Sequence, residues 1–421
     1  MKKGLGILGR EQRQARGLKK TVKAMWDRVP LYRSRMEDMG MSPEMVSSVE
    51  DLQRLPFMTK DDLRDSYPMG LLACERDEVV RVHASSGTTG KPTVVAYTKG
   101  DITAWEECMK NCLATAGVTR GDVFQVILGY GLFTGALGFH YGAEGLGAMV
   151  VPTGGGFTER QLMLMEDLGT TVFTSTPSYA LHLCEEIKDK GTRERLRLRL
   201  AILGGESWTE EMRERIEGEL GVIAVDSYGL SEVIGPGVAM ECPERSGLHP
   251  DWDHFLFEVV DPVTGRPLPE GEEGELVITS LTKEAMPVIR YRTRDLTRFI
   301  PGICGCGREG LRLERIKGRC DDMLIIRGVN VFPSQVEAVL GKIEGLSLHY
   351  RLEVFQPNGL KELKVLCEAE GWMDELQREE KESEAVRRLH ENLGIRVGFR
   401  LLAPGALERS AGKAVRVTKV A

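Results

Sequence analysis

The sequence predicts an α/β protein: a large N-terminal domain of parallel sheet covered by helices with a β-rich part, and a small α+β C-terminal domain on a hinge. Three observations predict it. Between residues 122 and 226, short apolar runs alternate with helical runs, the signature of a parallel sheet buried on both faces. Around Val238 the rhythm turns β-rich, with turn signals at Asp261-Pro262 and Pro269-Glu270-Gly271. Beyond Gly318 it changes again, over a length that suits a domain of its own. The boundary falls near Arg319 to Asp322, giving domains 1–318 and 319–421. A chain of 421 residues is too long for a single core in any case.

The elements follow in order. Glu11 to Val29 reads as a surface helix, and Thr59 followed by Asp62 reads as the N-cap and carboxylate of a short helix start. Glu78 to Val82 and Thr93 to Thr98 are rich in β-branched residues and read as strands. Asp101 to Ala116 is helical. Strands at Asp122–Leu128, Ala148–Pro152, Thr171–Ser175, Leu198–Leu203 and Val222–Asp226 then alternate with helices at Gly135–Leu146, Glu159–Leu168, Pro177–Lys188 and Thr209–Leu220. In the last domain Met323 to Val331 reads as strand and Pro333 to Lys342 as helix. Leu348–Phe355 and Glu362–Glu370 are strands, Asp374–Leu393 is a helix, and Arg396–Leu402 closes the chain as a strand.

Composition narrows the function. The chain has 56 basic and 63 acidic residues, a net charge of −7, and no long basic tract, which excludes nucleic acid as an expected partner. No run of 18 apolar residues occurs, and the apolar stretch near the N-terminus is too short for a signal peptide, so no membrane partner is expected. Nine dispersed cysteines form no secreted-type framework, which points to a reducing cytoplasm.

The densest chemistry lies at Ser85, Ser86, Gly87, Thr88, Thr89, Gly90, Lys91 and Pro92. The glycines let successive N–H groups point at one anion, four hydroxyls add donors, and Lys91 adds charge. This is equipment for a polyphosphate. It is not a Walker A loop, because its glycines are three apart, Pro92 follows the lysine, and a strand follows in place of a helix. Further polar constellations lie at Gly204-Gly205-Glu206, Asp226-Ser227-Tyr228-Gly229-Leu230-Ser231-Glu232, Tyr291 to Asp295, Gly318 to Asp322, and Glu408 to Lys413.

In this order the chain resembles the adenylate-forming superfamily of acyl-CoA ligases and adenylation domains, and within it the phenylacetate–CoA ligase branch. The carrying stretches are SSGTTGKP, YGLFTGALGFHYG (130–142), DSYGLSEVIGPG (226–237), TSLTKEAMPVIRYRTRDLTR (279–298), GRCDDMLIIRGVNVFPSQ (318–335) and ERSAGKAVRV (408–417). The resemblance implies ATP, Mg²⁺ and CoA as partners of an arylacetic acid, phenylacetate first. Residues 85 to 91 then wrap the β- and γ-phosphates, Glu232 holds Mg²⁺ beside Ser231, and Tyr228 lies on the adenine. The backbone of Gly204, Gly205 and Glu206 lies at the adenine edge, and Asp295 accepts from the ribose. Asp226, Ser227, Gly229 and Arg319 complete the nucleotide set.

The resemblance further implies that Lys413 bridges the acyl carboxylate and the α-phosphate, so that Lys413, Glu232 and Lys91 carry catalysis. It also implies that Asp321 is the hinge that later brings Arg327 and Gly328 to the thiol channel. Tyr130, Phe133, Phe139 and His140 line up with the acyl pocket, although Phe139 also suits a structural aromatic cluster. The family suggests a homodimer, which no residue here specifies.

Apart from the resemblance, Cys242, His249, Cys304 and Cys306 offer three thiolates and an imidazole for structural Zn²⁺, with His254 as a substitute for His249 and unmetallated cysteines as the plain alternative. Cys108 and Cys112 share a helix face and read as core. Two other functional readings stay open. One is an adenylating enzyme that passes its acyl group to a carrier-protein thiol or an amine. The other is a catalytically silent interaction protein, against which Lys413, Glu232 and Asp295 argue together.

Overall fold

The computed structural model describes residues 2–85, 92–320, 324–326, 329–356, 361–409 and 416–419. Its elements begin with α1 (Lys2–Arg28), α2 (Pro30–Asp38), α3 (Lys60–Asp65), β1 (Val79–Ala84), β2 (Val94–Thr98), α4 (Lys99–Ala116), β3 (Val123–Val126) and α5 (Gly135–Leu146). They continue with β4 (Met149–Val151), α6 (Thr158–Asp167), β5 (Val172–Ser175), α7 (Pro177–Lys190), β6 (Leu200–Gly204), α8 (Glu210–Leu220), β7 (Ile223–Leu230), β8 (Gly235–Glu241) and β9 (Leu248–Pro250). A β-rich stretch follows: β10 (Phe255–Val260), β11 (Gly274–Ser280), β12 (Tyr291–Thr297), β13 (Phe299–Ile300), β14 (Arg312–Leu313) and β15 (Gly318–Arg319). The remainder is β16 (Leu324–Ile326), β17 (Val329–Val331), α9 (Pro333–Leu340), β18 (Leu346–Phe355), β19 (Glu362–Ala369), α10 (Glu375–Leu393), β20 (Gly398–Leu402) and β21 (Val417–Lys419).

The chain divides into two compact units. The first comprises residues 1–175, 196–205 and 225–315. Its main sheet has nine strands in the order β13-β14-β9-β8-β7-β6-β5-β3-β4. The half built from the alternating segment pairs in parallel, β4 on β3, β3 on β5 and β5 on β6. The half built from the β-rich segment pairs antiparallel, β7 on β8, β8 on β9, β9 on β14 and β14 on β13. Strands β10, β11 and β12 make a separate antiparallel ladder, and β1 and β2 a hairpin-like pair. The change of sequence rhythm at Val238 therefore marks a change of pairing within one sheet.

Helix α4 seats the centre of this unit. Thr98 and Asp101 form a capping box at its start, and Gly117 closes it at φ +88. The cap moves the helix start to Lys99, two residues before the sequence-predicted Asp101. Trp105, fully buried, donates from Nε1 to the carbonyl of Pro236 in β8 at 2.8 Å and stacks on Tyr97. Close approach demands glycine at two neighbouring positions: a Cβ at Gly204 would enter the Ser227 carbonyl, and one at Gly229 would enter that of Gly235.

The second unit comprises residues 176–195, 206–224 and 316–421. Its last and longest segment begins at Ile316, and the segments carrying α7 and α8 cluster with it. Its sheet runs β20-β19-β18-β21, with β18 antiparallel to β19 and the outer pairs parallel. Val336, Leu340, Leu352, Val365, Ala385 and Leu389 form the fully buried centre beneath α9 and α10. Two details differ from the sequence reading. The stretch 323–331 holds two short strands paired antiparallel, with Ile326 opposite Val329. Strand β21 is additional: three residues are too short for a periodic signal, and the pairing with β18 defines them.

Candidate functional site

The site in the first unit is assembled at the end of β7. That strand leads through Tyr228 and Gly229 into the turn that carries Ser231 and Glu232. The Tyr228 hydroxyl donates to Asp295 Oδ2 at 2.6 Å, joining β7 to β12. Asp295 is buried and bonded to the tyrosine, while Arg292 pairs with Glu275. Asp226, one turn of strand earlier, accepts from Arg315 Nε at 3.2 Å. The hydroxyls of Ser227 and Ser85 are buried, with no hydrogen-bond partner among the described residues. Orphaned donors in a native fold call for a ligand or water.

Glu232 is buried and paired at Oε1 with Lys60 Nζ, 3.1 Å away, while the Ser231 hydroxyl lies 3.0 Å from that of Thr134. A single carboxylate supplemented by substrate phosphates suits Mg²⁺, and Glu232 retains its second oxygen for one, so the residue fits that ion. Lys60 escaped the sequence reading. A signal was present: Lys60 is the first residue of α3, behind the Thr59–Asp62 capping box, where the helix dipole disfavours a cation.

Lys283 was also missed, inside a stretch quoted only as a motif. It is 4 % exposed, its ammonium has no hydrogen-bond partner among the described residues, and it lies 4.4 Å above the Tyr97 ring. Asp101 holds the adjoining turn by accepting from the backbone N–H groups of Glu284 and Ala285. Burial pushes the Lys283 ammonium down to about 8, against the opposing pull of Asp101 and Glu232. Below pH 8 both folded and unfolded chains carry this proton, and the burial cost stands in full. Between about 8 and the unfolded value of 10.5 the folded chain releases it first, so stability rises with pH. Lys283→Met is therefore expected to stabilise the fold by about 1–3 kcal/mol at pH 7. Its advantage over the natural chain should shrink between pH 8 and 10.5 in urea titrations; a constant advantage would refute the buried charge.

The aromatic segment after β3 is only partly convergent. Tyr130 Oη lies 3.0 Å from His140 Nδ1, and His140 Nε2 lies 3.0 Å from Glu144. Phe133 is 51 % exposed. Phe139 instead is buried and stacks on Phe124, in the position of a core aromatic.

The cysteine–histidine set does come together. Donor atoms of Cys242, His249, Cys304 and Cys306 all lie within 4.8 Å of one another. Cys242 follows β8, His249 is in β9, and Cys304 and Cys306 lie in the turn between β13 and β14, so sheet order creates the cluster. The Cys242–Cys304 sulfur separation is 3.6 Å, as is that from Cys306 Sγ to His249 Nε2. A zinc tetrahedron with bonds of ~2.3 Å to sulfur has edges of ~3.8 Å, so the donors fit that ion. Burial, with help from Arg308 and Arg312, lowers His249 to about 4, which keeps its imidazole neutral. Burial resists ionisation of Cys306, yet the N–H and guanidinium of Arg308 bring that thiol to about 7. His254 is elsewhere, its Nδ1 2.9 Å from Thr282 Oγ1. It does not substitute for His249.

Of the other sequence-predicted residues, Glu206 and Arg319 belong to the second unit, where Glu206 accepts from the Ser178 N–H at 2.7 Å. Ser86, Gly87, Thr88, Thr89, Gly90, Lys91, Asp321, Arg327, Gly328 and Lys413 lie outside the described residues. The chain on either side of residues 410–415 is firmly held. Buried Glu368 accepts from Arg409 through both terminal nitrogens, at 2.9 and 2.8 Å, and from the N–H groups of Gly405 and Leu407. Arg416 lies 4.3 Å over the Tyr350 ring and 3.4 Å from Glu337.

Comparison with known proteins gives concordant matches. The family model of AMP-binding enzymes matches residues 33–282, and that of the AMP-binding enzyme C-terminal domain matches 328–419. The chain is 48 % identical over 411 residues to the phenylacetate-coenzyme A ligase of Pseudomonas putida, covering 96 % of this chain and 93 % of that one. It is 49 % identical over 420 residues to the phenylacetate-coenzyme A ligase of Thermus thermophilus, covering 96 % and 94 %. Among solved structures it superposes on a 2-hydroxyisobutyryl-CoA ligase in its postadenylation state with a TM-score of 0.90. The identity is 28 %, with 98 % of this chain and 90 % of that one covered.

Proposed function

The chain belongs to the AMP-binding enzyme family, in its phenylacetate–CoA ligase branch, and from that premise we infer its reaction. It is an ATP-dependent acid–thiol ligase. It activates an arylacetic acid, phenylacetate foremost, as the acyl adenylate with release of pyrophosphate, and transfers the acyl group to CoA with release of AMP. The observation that carries the reading at the site is the Tyr228–Asp295 pair, beside the unpartnered hydroxyl of Ser227 and one turn from Glu232.

The residue roles we infer rest on this geometry for Tyr228, Asp295 and Glu232, and on the family's motifs for the others. Tyr228 offers a flat face to adenine while its hydroxyl orients Asp295, whose carboxylate takes the ribose hydroxyls. Gly204 and Gly205 let the adenine edge approach backbone. Ser85, with Ser86 to Lys91, surrounds the outer phosphates, and Lys91 balances their charge. Glu232 holds Mg²⁺, which when bound neutralises phosphate charge. Lys60 shares that carboxylate, its ammonium 3.1 Å from Oε1.

Lys413 stands between the acyl carboxylate and the α-phosphorus. The carboxylate oxygen attacks phosphorus, the bond to pyrophosphate breaks, and the lysine stabilises the charge that builds between them. In the second half the CoA sulfur attacks the acyl carbonyl carbon and AMP leaves, with Arg327 and Gly328 on the thiol side after rotation at Asp321. No covalent enzyme intermediate is required, because both steps rely on positioning and charge. Tyr130, Phe133 and His140 shape the aryl site from the polar side, with Phe139 supporting them from the core.

Cys242, His249, Cys304 and Cys306 hold a structural zinc that staples β8, β9 and the β13–β14 turn. Cys304→Ser should lower metal content by one equivalent per chain and reduce thermal stability, with KM for ATP unchanged. Unaltered metal content would refute the staple. No helix among the described residues is long and apolar enough to cross a membrane, and with the dispersed thiols this supports a cytoplasmic enzyme.

The test is a panel of carboxylic acids in a CoA-dependent AMP-release assay. Phenylacetate is expected to give the highest kcat/KM, and no AMP release with any arylacetic acid would overturn the reading.

A further inference from the structure

A second convergence of metal-ligating side chains lies on α4, away from the Cys242 cluster. Donor atoms of Cys108, Asp251 and His254 all lie within 4.8 Å of one another. Cys108 is fully buried and His254 nearly so. Asp251 and His254 stand one turn apart in the segment between β9 and β10, where the chain bends back so that Phe255 N–H reaches the Asp251 carbonyl at 3.1 Å. The β9 strand thus separates two histidine-bearing clusters: His249 turns to the thiols beside β8 and β14, and His254 turns to α4.

Each donor is oriented by a neighbour. His254 Nδ1 lies 2.9 Å from Thr282 Oγ1, and donation to that oxygen leaves the Nε2 lone pair free for the cluster. Asn111, one turn along α4 from Cys108, donates to Asp251 Oδ2 at 3.3 Å, and the Asp253 N–H donates to Oδ1 at 3.2 Å. The Glu107 carboxylate lies 3.8 Å from His254 Nε2, and its side chain is 64 % exposed, so it can close the set from the solvent side. One thiolate, one imidazole and two carboxylates make a mixed set for a borderline divalent cation; an alkaline-earth ion would prefer oxygen throughout.

We propose that Cys108, Asp251 and His254, completed by Glu107, form a second cation site, for zinc or an ion of like preference. Bound there, the ion ties α4 to the β9–β10 segment, and α4 in turn holds β8 through Trp105. The same residues with no ion bound, Asp251 and His254 beside a core thiol, are the competing outcome.

The test uses the full chain loaded with Zn²⁺ and freed of excess by gel filtration, with metal counted per chain. Cys108→Ala should bind one equivalent fewer than the natural chain, whatever the Cys242 cluster holds. His254→Gln, which nearly conserves volume, should show the same deficit while CoA-dependent AMP release shows that it has folded. In the Co²⁺-loaded protein, Cys108→Asp should keep the full metal count but lose part of the thiolate-to-cobalt charge-transfer absorption. Equal zinc stoichiometry in the natural chain and in His254→Gln, or an unaltered cobalt spectrum in Cys108→Asp, would overturn the proposal.

Discussion

Lys413→Ala is expected to slow acyl-adenylate formation by roughly a hundred- to a thousand-fold, the usual effect of removing one preorganised charge from a transition state. ATP affinity should change little, because the proposed roles give nucleotide binding to Tyr228, Asp295 and residues 85–91 and not to Lys413. The neighbouring anchors support this role. Arg409 is clamped by Glu368, which also takes the N–H groups of Gly405 and Leu407, and Arg416 is pinned by Tyr350 and Glu337. Arg409 and Arg416, the described residues on either side of Lys413, are thus both held within the second unit. Phenylacetate-dependent pyrophosphate exchange and nucleotide titration separate the two effects. Weakened ATP binding with a normal exchange rate at saturation would contradict the assignment.

Asp295→Asn should raise KM for ATP by about 10- to 100-fold, with a smaller change in kcat. The carboxylate is buried, accepts the Tyr228 hydroxyl at 2.6 Å, and has capacity left for ribose hydroxyls. An amide keeps the shape but replaces one acceptor with a donor, and hydrogen bonds to a charged group contribute about 1.5–3 kcal/mol. Tyr228→Phe removes only the orienting bond and should have the milder effect. If Asp295 served structure alone, its variant would melt earlier with KM unmoved; thermal melts run beside the kinetics decide this.

Much of this was legible in the residues. The alternation of apolar strands and helices between 122 and 226 became the parallel half of the nine-strand sheet: β5 and β6 are buried almost throughout and need no polar alternation, while β4 lies at the sheet edge with Met149 exposed. The antiparallel half was visible only as a change of rhythm. Its order, β13-β14-β9-β8, depends on pairings far apart in sequence, and those pairings bring Cys242, His249, Cys304 and Cys306 together. The donor types were readable from spacing, whereas the separation of His249 from His254 was decided by the end of β9 at Pro250, after which the chain turns His254 to Thr282 and α4.

Lys60 and Lys283 were missed for a different reason. Each sits far in sequence from Glu232 and Tyr97, and a lysine in a polar stretch reads as solvated until burial is known. Phe139 shows the converse. An aromatic in a glycine-rich stretch suggests a ligand pocket, but its position on α5 turns it toward Phe124 in the core.

The central claim is that the chain cleaves ATP between the α- and β-phosphates and carries the acyl group as an adenylate before the thiol attacks. Rapid quench of the enzyme with ATP, Mg²⁺ and ¹⁴C-phenylacetate, without CoA, tests it most directly. The account predicts close to one phenylacetyl-AMP per active chain, converted to phenylacetyl-CoA and AMP once CoA is added. Formation of ADP and phosphate, or thioester formation with no adenylate preceding it, would contradict it.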